Sequence, residues 1–105
     1  MTALVRRGRQ KNPAILRVVN LGHGGARCRT RTPFRLGATF QAEFFLEGKC
    51  VVGHPRVLKL YCRVVWTASK KGPSCEVQEL GLAFPELQVG QRTLLDSLLR
   101  AAEAA

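Results

Sequence analysis

The segment Arg56 to Ala68 (RVLKLYCRVVWTA) limits what this chain can fold into more than any other stretch. Val57, Lys59, Tyr61, Arg63 and Val65 alternate with Leu58, Leu60, Cys62, Val64 and Trp66, and the second set is wholly apolar. Successive side chains of an extended strand point to opposite faces, whereas helical faces repeat every 3.6 residues or so. The alternation therefore predicts a strand with Leu58, Leu60, Cys62, Val64 and Trp66 against a core and Lys59, Tyr61 and Arg63 more exposed.

Shorter segments repeat the theme. Ala14 to Val19 is an apolar, partly β-branched run ended by Asn20-Leu21-Gly22-His23-Gly24-Gly25, a glycine-rich turn of the kind that favours positive φ. Ala26 to Thr30 alternates strictly, placing Arg27 and Arg29 on one face. Pro33 and Gly37 break the chain before Ala38 to Leu46 resumes β-prone character, and Glu47-Gly48-Lys49 reads as a hairpin connection to a brief strand at Cys50 to Val52. Ser69 to Ser74 reads as a polar turn, and Cys75 to Phe84 as another strand, in which Gly81 marks a bulge or a close approach of backbone. Beyond Pro85 the period changes. Val89, Leu94, Leu95, Leu98, Leu99 and Ala102 fall on one helical stripe, which predicts a helix starting between Glu86 and Arg92. Five or six strands followed by one helix predict a mostly β fold, a small antiparallel barrel or sandwich whose open end or edge the helix covers.

At 105 residues the chain has the length of one domain, and 46% hydrophobic residues suffice for a core. No apolar run is long enough to span a bilayer, and the arginines among the first residues have no apolar signal core behind them, so a cytoplasmic protein without membrane insertion is expected. The formal charge is +10, and nine of the seventeen Lys and Arg residues precede the first carboxylate, Glu43. An anionic partner would relieve that repulsion. Cys28, Cys50, Cys62 and Cys75 form no C-x-x-C pair, and His23 and His54 stand at no metal-ligand spacing, so reduced thiols and no metal are expected. The seven carboxylates show no pairing, and no nucleophile-elbow, zincin or P-loop pattern occurs, which argues against an enzyme.

The turn Asn20 to Gly25, the element Arg63-Val64-Val65-Trp66 and the strand Glu79-Leu80-Gly81-Leu82-Ala83-Phe84 follow one another in an order that resembles the PilZ domain. From Ala14 onward nearly the whole chain resembles that family. The resemblance implies a small split barrel of five to six strands with a C-terminal helix. It also implies a receptor for the second messenger cyclic di-GMP that changes shape on binding and signals to an unidentified effector protein by contact. In the family an R-x-x-x-R pair and a (D/N)-x-S-x-x-G turn form the ligand site. Here the turn motif falls on Asn20 and Gly25, with Gly22 at the serine position, and the arginine motif falls on Arg7 and Lys11, with Arg6 and Arg9 near by.

The candidate ligand-binding residues are thus Arg6, Arg7, Arg9, Lys11, Asn20, Gly22, Gly25 and Arg27, with Arg29 able to extend the positive wall; no cofactor is implied besides the ligand. Residues 1–13 are taken as a basic segment in front of a barrel domain at 14–105, able to fold over a ligand. Guanidinium groups suit both halves of the dinucleotide, bonding phosphate or the O6 and N7 edge of guanine. Gly22 lacks the serine hydroxyl and Lys11 lacks the planar fork of arginine. A second implication is therefore an adaptor without nucleotide affinity, working in motility or type IV pilus complexes. A third reading, independent of the family, is a basic nucleic-acid-binding barrel; it ranks last because Phe34 is the only aromatic before Phe40. Trp66 and Phe84 are expected in the core, and His23 as an exposed turn residue.

Overall fold

Burial alternates along most strands as the sequence pattern requires, and the structure, a computed structural model, describes residues 1–6, 12–46, 57–71 and 76–104. The elements are β1 (Thr2–Val5), β2 (Ala14–Leu21), β3 (Gly25–Thr30), β4 (Thr39–Phe45), β5 (Leu58–Lys71), β6 (Glu76–Ala83) and α1 (Val89–Ala104). All strand pairs are antiparallel, and they close a six-stranded barrel in the order β1-β2-β3-β6-β5-β4. Consecutive pairing makes two three-stranded meanders, β1 to β3 and β4 to β6. The seams β1–β4 and β3–β6 join them.

Inside lie Ala3, Val5, Leu16, Cys28, Ala42, Phe44, Leu60, Cys62, Val64, Leu80 and Leu82, with Leu95 and Leu98 of α1 closing the core. Each such leucine or phenylalanine contributes on the order of 1.5–3 kcal/mol by leaving water. Phe84 meets Phe44 edge to face with ring centroids 5.7 Å apart. The helix begins at Val89 because Gln91 reaches back to accept the Gln88 N–H at 3.0 Å, half of a capping box. Its buried stripe is narrower than expected. Leu95 and Leu98 are buried, but Leu94 is exposed and Val89 is 85% exposed.

Three expectations change. Thr2–Val5, read as part of a basic segment ahead of the barrel, is a barrel strand held between β2 and β4; four residues are too few for the alternation of Ala3 and Val5 to stand out. Ser69, Lys70 and Lys71, expected in a polar turn, belong to β5, which pairs with β6 through Lys71↔Glu76. Trp66 is 40% exposed rather than part of the core. A register shift between Val64 and Trp66 makes Val65 an extra residue, and Trp66 pairs with Gly81 on the outer face. The hairpin connection at 47–49, the brief strand at 50–52, and Cys50 and Cys75 lie outside the described residues.

Candidate ligand site on the outer face of the barrel

β2 carries a second bulge. Its register with β3 shifts between Val18 and Asn20, so Asn20 pairs with Arg27 and is exposed, although strict alternation from the buried Leu16 would turn it inward. The two bulges act together. Asn20 lies opposite Arg27, Arg27 opposite Gly81, and Gly81 opposite Trp66, so one row across β2, β3, β6 and β5 carries an amide, a guanidinium, a bare backbone and an indole. At the usual strand spacing the row spans about 14 Å.

Gly81 has no room for a side chain, because a Cβ there would overlap the Trp66 ring. The indole therefore lies flat against the sheet while remaining part-exposed, and the exposed Arg27 guanidinium stands on the other side of the glycine. Below this row Arg29 Nε donates to Glu79 Oε1 at 3.0 Å, and Arg29 shields that carboxylate, whose side chain is only 9% exposed.

The glycine turn stands beside the row. The Gly22 N–H donates to the Gly25 carbonyl at 2.9 Å, and the Phe84 N–H donates to the Gly24 carbonyl at 3.0 Å, tying the turn to the end of β6. Gly25 is fixed by crowding: a Cβ would collide with the Leu82 carbonyl oxygen. Gly22 and Gly24 meet open space, and none of the three has positive φ; among the described residues only Gly37 does, at 84°. The turn glycines thus serve close approach and exposed backbone, not the left-handed conformation expected of them. His23 Nε2 meets Asp96 Oδ1 of α1, linking turn to helix across a sequence separation that no local pattern encodes.

Of the residues expected in the site, Asn20, Gly22, Gly25 and Arg27 are brought together here. Arg6 is not. β1 ends where β2 begins, with Val5 opposite Ala14, and Asn20 lies at the far end of β2, about 20 Å away at the rise of a strand. Arg6 instead pairs with Glu43 at 3.5 Å, beside a cavity of about 550 Å³ that Phe34, Phe40, Gln41 and Lys59 also line. Arg7, Arg9 and Lys11 lie outside the described residues. Trp66 is the site residue that the alternation hid; its only sequence signal was the glycine inside the neighbouring strand.

Burial pushes the thiols of Cys28 and Cys62 up to about 12, so both stay protonated. Among the described residues no three His, Cys, Asp or Glu side chains are placed to hold a metal ion, and no helix is long and apolar enough to cross a membrane.

The family model for the PilZ domain matches residues 2–101, nearly the whole chain and every strand of the barrel. The chain belongs to the PilZ domain family. PilZ domains are binding and adaptor modules, and the turn, the strand with Val64-Val65-Trp66, the strand with Gly81 and the C-terminal helix of this one follow the order that the resemblance implied. No curated protein and no solved structure matches this PilZ domain significantly.

Proposed function

We propose that this PilZ domain is a receptor and adaptor for cyclic di-GMP, binding the dinucleotide on the outer face of the barrel and passing the signal to an effector protein by contact. The row Asn20–Arg27–Gly81–Trp66 carries the reading. The Trp66 indole, laid over Gly81, offers a plane on which a guanine can stack, Arg27 supplies a bidentate donor for phosphate or base edge, and Asn20 supplies both donor and acceptor. The open space at Gly22 and Gly24 borders the same row and lets a phosphate approach the turn closely. Because His23 of the turn touches Asp96, a ligand that displaces the turn also acts on α1, which gives the signal a route to a helix face. Calorimetric titration with cyclic di-GMP tests the reading. Saturable binding that Arg27→Ala or Trp66→Ala removes supports it, and absence of heat sinks it.

A second reading, an adaptor that does not bind nucleotide, draws support from the position of Arg6. The first basic residue of the Arg6 to Lys11 run stands at the opposite end of β2 from Asn20 and holds an ion pair of its own. In that case the outer face recognises protein directly, and pull-down by the effector survives Asn20→Ala without any nucleotide present.

A further inference from the structure

Below the row just described, the outer face of β2 and β3 carries an arrangement that the cyclic di-GMP reading does not use. Arg17 and Arg29 are direct cross-strand partners, and Arg31, the first residue beyond β3, lines the same cavity. Like charges placed directly opposite one another destabilise a strand pair, so this register carries an electrostatic cost that the fold retains. Glu79 answers part of it through Arg29. Arg17 and Arg31 are exposed, and neither guanidinium has an ion-pair or hydrogen-bonding partner among the described residues. The three arginines line a cavity of about 700 Å³ together with Val18, Val19, Thr30 and Val77. The Thr30 hydroxyl is already engaged, donating to the Ile15 carbonyl and accepting the Thr32 N–H, so the polar groups open to a guest are the guanidiniums.

We infer that this cavity is a second, separate anion site, built for a dianionic phosphoryl group attached to a small apolar moiety. Charge sets the class: two uncompensated guanidiniums and one shared with Glu79 match a phosphate monoester better than a monoanionic carboxylate. Planar forks suit tetrahedral oxyanions bidentately. The valine walls set the second half of the description, because Val18, Val19 and Val77 offer apolar surface beside the cations and no further hydrogen-bonding group. The site does not depend on cyclic di-GMP binding at Asn20 and Trp66, since its three arginines and Val77 lie away from that row and only Val18 and Val19 stand between the two.

Inorganic phosphate and phenyl phosphate are the probes, titrated into the full chain with backbone amide shifts as the readout. Saturable shifts at Arg17, Val18, Val19, Arg29, Arg31 and Val77 are expected, with phenyl phosphate the tighter of the two. Arg17→Ala and Arg31→Ala should each weaken it about tenfold or more, the loss of one charge-assisted hydrogen bond. Both side chains are exposed, so neither substitution threatens the fold. Arg63→Ala, on the exposed side of β5, should leave binding unchanged. The inference is overturned if shifts gather at Asn20 to Gly25 and Trp66, where the dinucleotide would sit. It is equally overturned if Arg63→Ala weakens binding as much as Arg17→Ala, since the attraction is then diffuse and suits a nucleic-acid backbone, or if Arg17→Ala and Arg31→Ala bind as the unaltered chain does.

Discussion

The Trp66 indole covers Gly81 of the neighbouring strand so closely that a methyl group at Gly81 would overlap the ring. Trp66 is the only tryptophan in the chain, so its emission reports this contact alone. Gly81→Ala is expected to lift the ring off the sheet, red-shift the emission and cost about 1–3 kcal/mol, because a side chain rather than backbone must move. Fluorescence spectra and denaturant melts check both. An unshifted spectrum would mean that the indole does not lie over Gly81.

The glycines of the turn should differ sharply. Gly25→Ala drives a Cβ into the Leu82 carbonyl and is expected to cost about 1–3 kcal/mol, because rigid backbone on both sides cannot yield cheaply. Gly22→Ala and Gly24→Ala meet open space without positive φ and should stay within about 0.5 kcal/mol of the parent. Urea melts of the three variants give the order directly.

Arg29 is expected to matter for stability and Arg27 not to. Arg29→Ala takes a charged donor from the buried Glu79 carboxylate, a loss of about 1–3 kcal/mol. Arg27→Ala removes an exposed side chain and should be nearly neutral to folding, while under the proposed receptor reading it weakens cyclic di-GMP binding. Equal melting of the two variants would show that Glu79 is satisfied without Arg29.

Stability should fall in alkali by a definite mechanism. Burial raises the Cys28 thiol from the ordinary 9.0 to about 12, and burial, with the neighbouring Cys28 adding to it and a hydrogen bond from Ala42 opposing, does the same to Cys62. Below pH 9.0 folded and unfolded chains both keep these protons, so the thiols contribute no pH dependence. Between 9.0 and about 12 the unfolded chain releases protons that the barrel retains, and stability drops as pH rises by up to about 1.4 kcal/mol per pH unit for each thiol. Replacing both Cys28 and Cys62 by alanine should flatten that slope in melts across the window. An unchanged slope would assign the alkaline loss to other groups.

Much of the barrel is legible in the sequence because a strand with one buried face has to alternate. Leu58, Leu60, Cys62 and Val64 are all buried where the pattern put them, and the change of apolar period after Pro85 marks α1. What alternation does not show is where it fails. One extra residue at Val19 and one at Val65 reverse the faces of Asn20 and Trp66, and neither residue type announces a bulge. Gly81 did announce one, but not that the neighbouring strand would carry it. Asn20 could be named from the family motif, whereas its alignment with Trp66 depends on the register of four strands and so on the folded barrel. The position of Arg6 was hidden for a related reason: with β1 unrecognised, Arg6 seemed to precede the barrel instead of following β1 at the far end of β2 from Asn20.

The β3–β6 seam gives the ligand row a place in time as well as in space. Asn20 and Arg27 belong to the first meander, Gly81 and Trp66 to the second, and the row exists only once residues 25–30 have found residues 78–83. Local hairpins form early, and pairings so distant in sequence come late and slowly. A half-assembled chain therefore does not hold the guanidinium beside the stacking plane, and presents only half of the proposed site. A molecule bound across the seam acts as a clasp on the last joint to close, and it should lengthen the lifetime of the native state by slowing the opening of that joint.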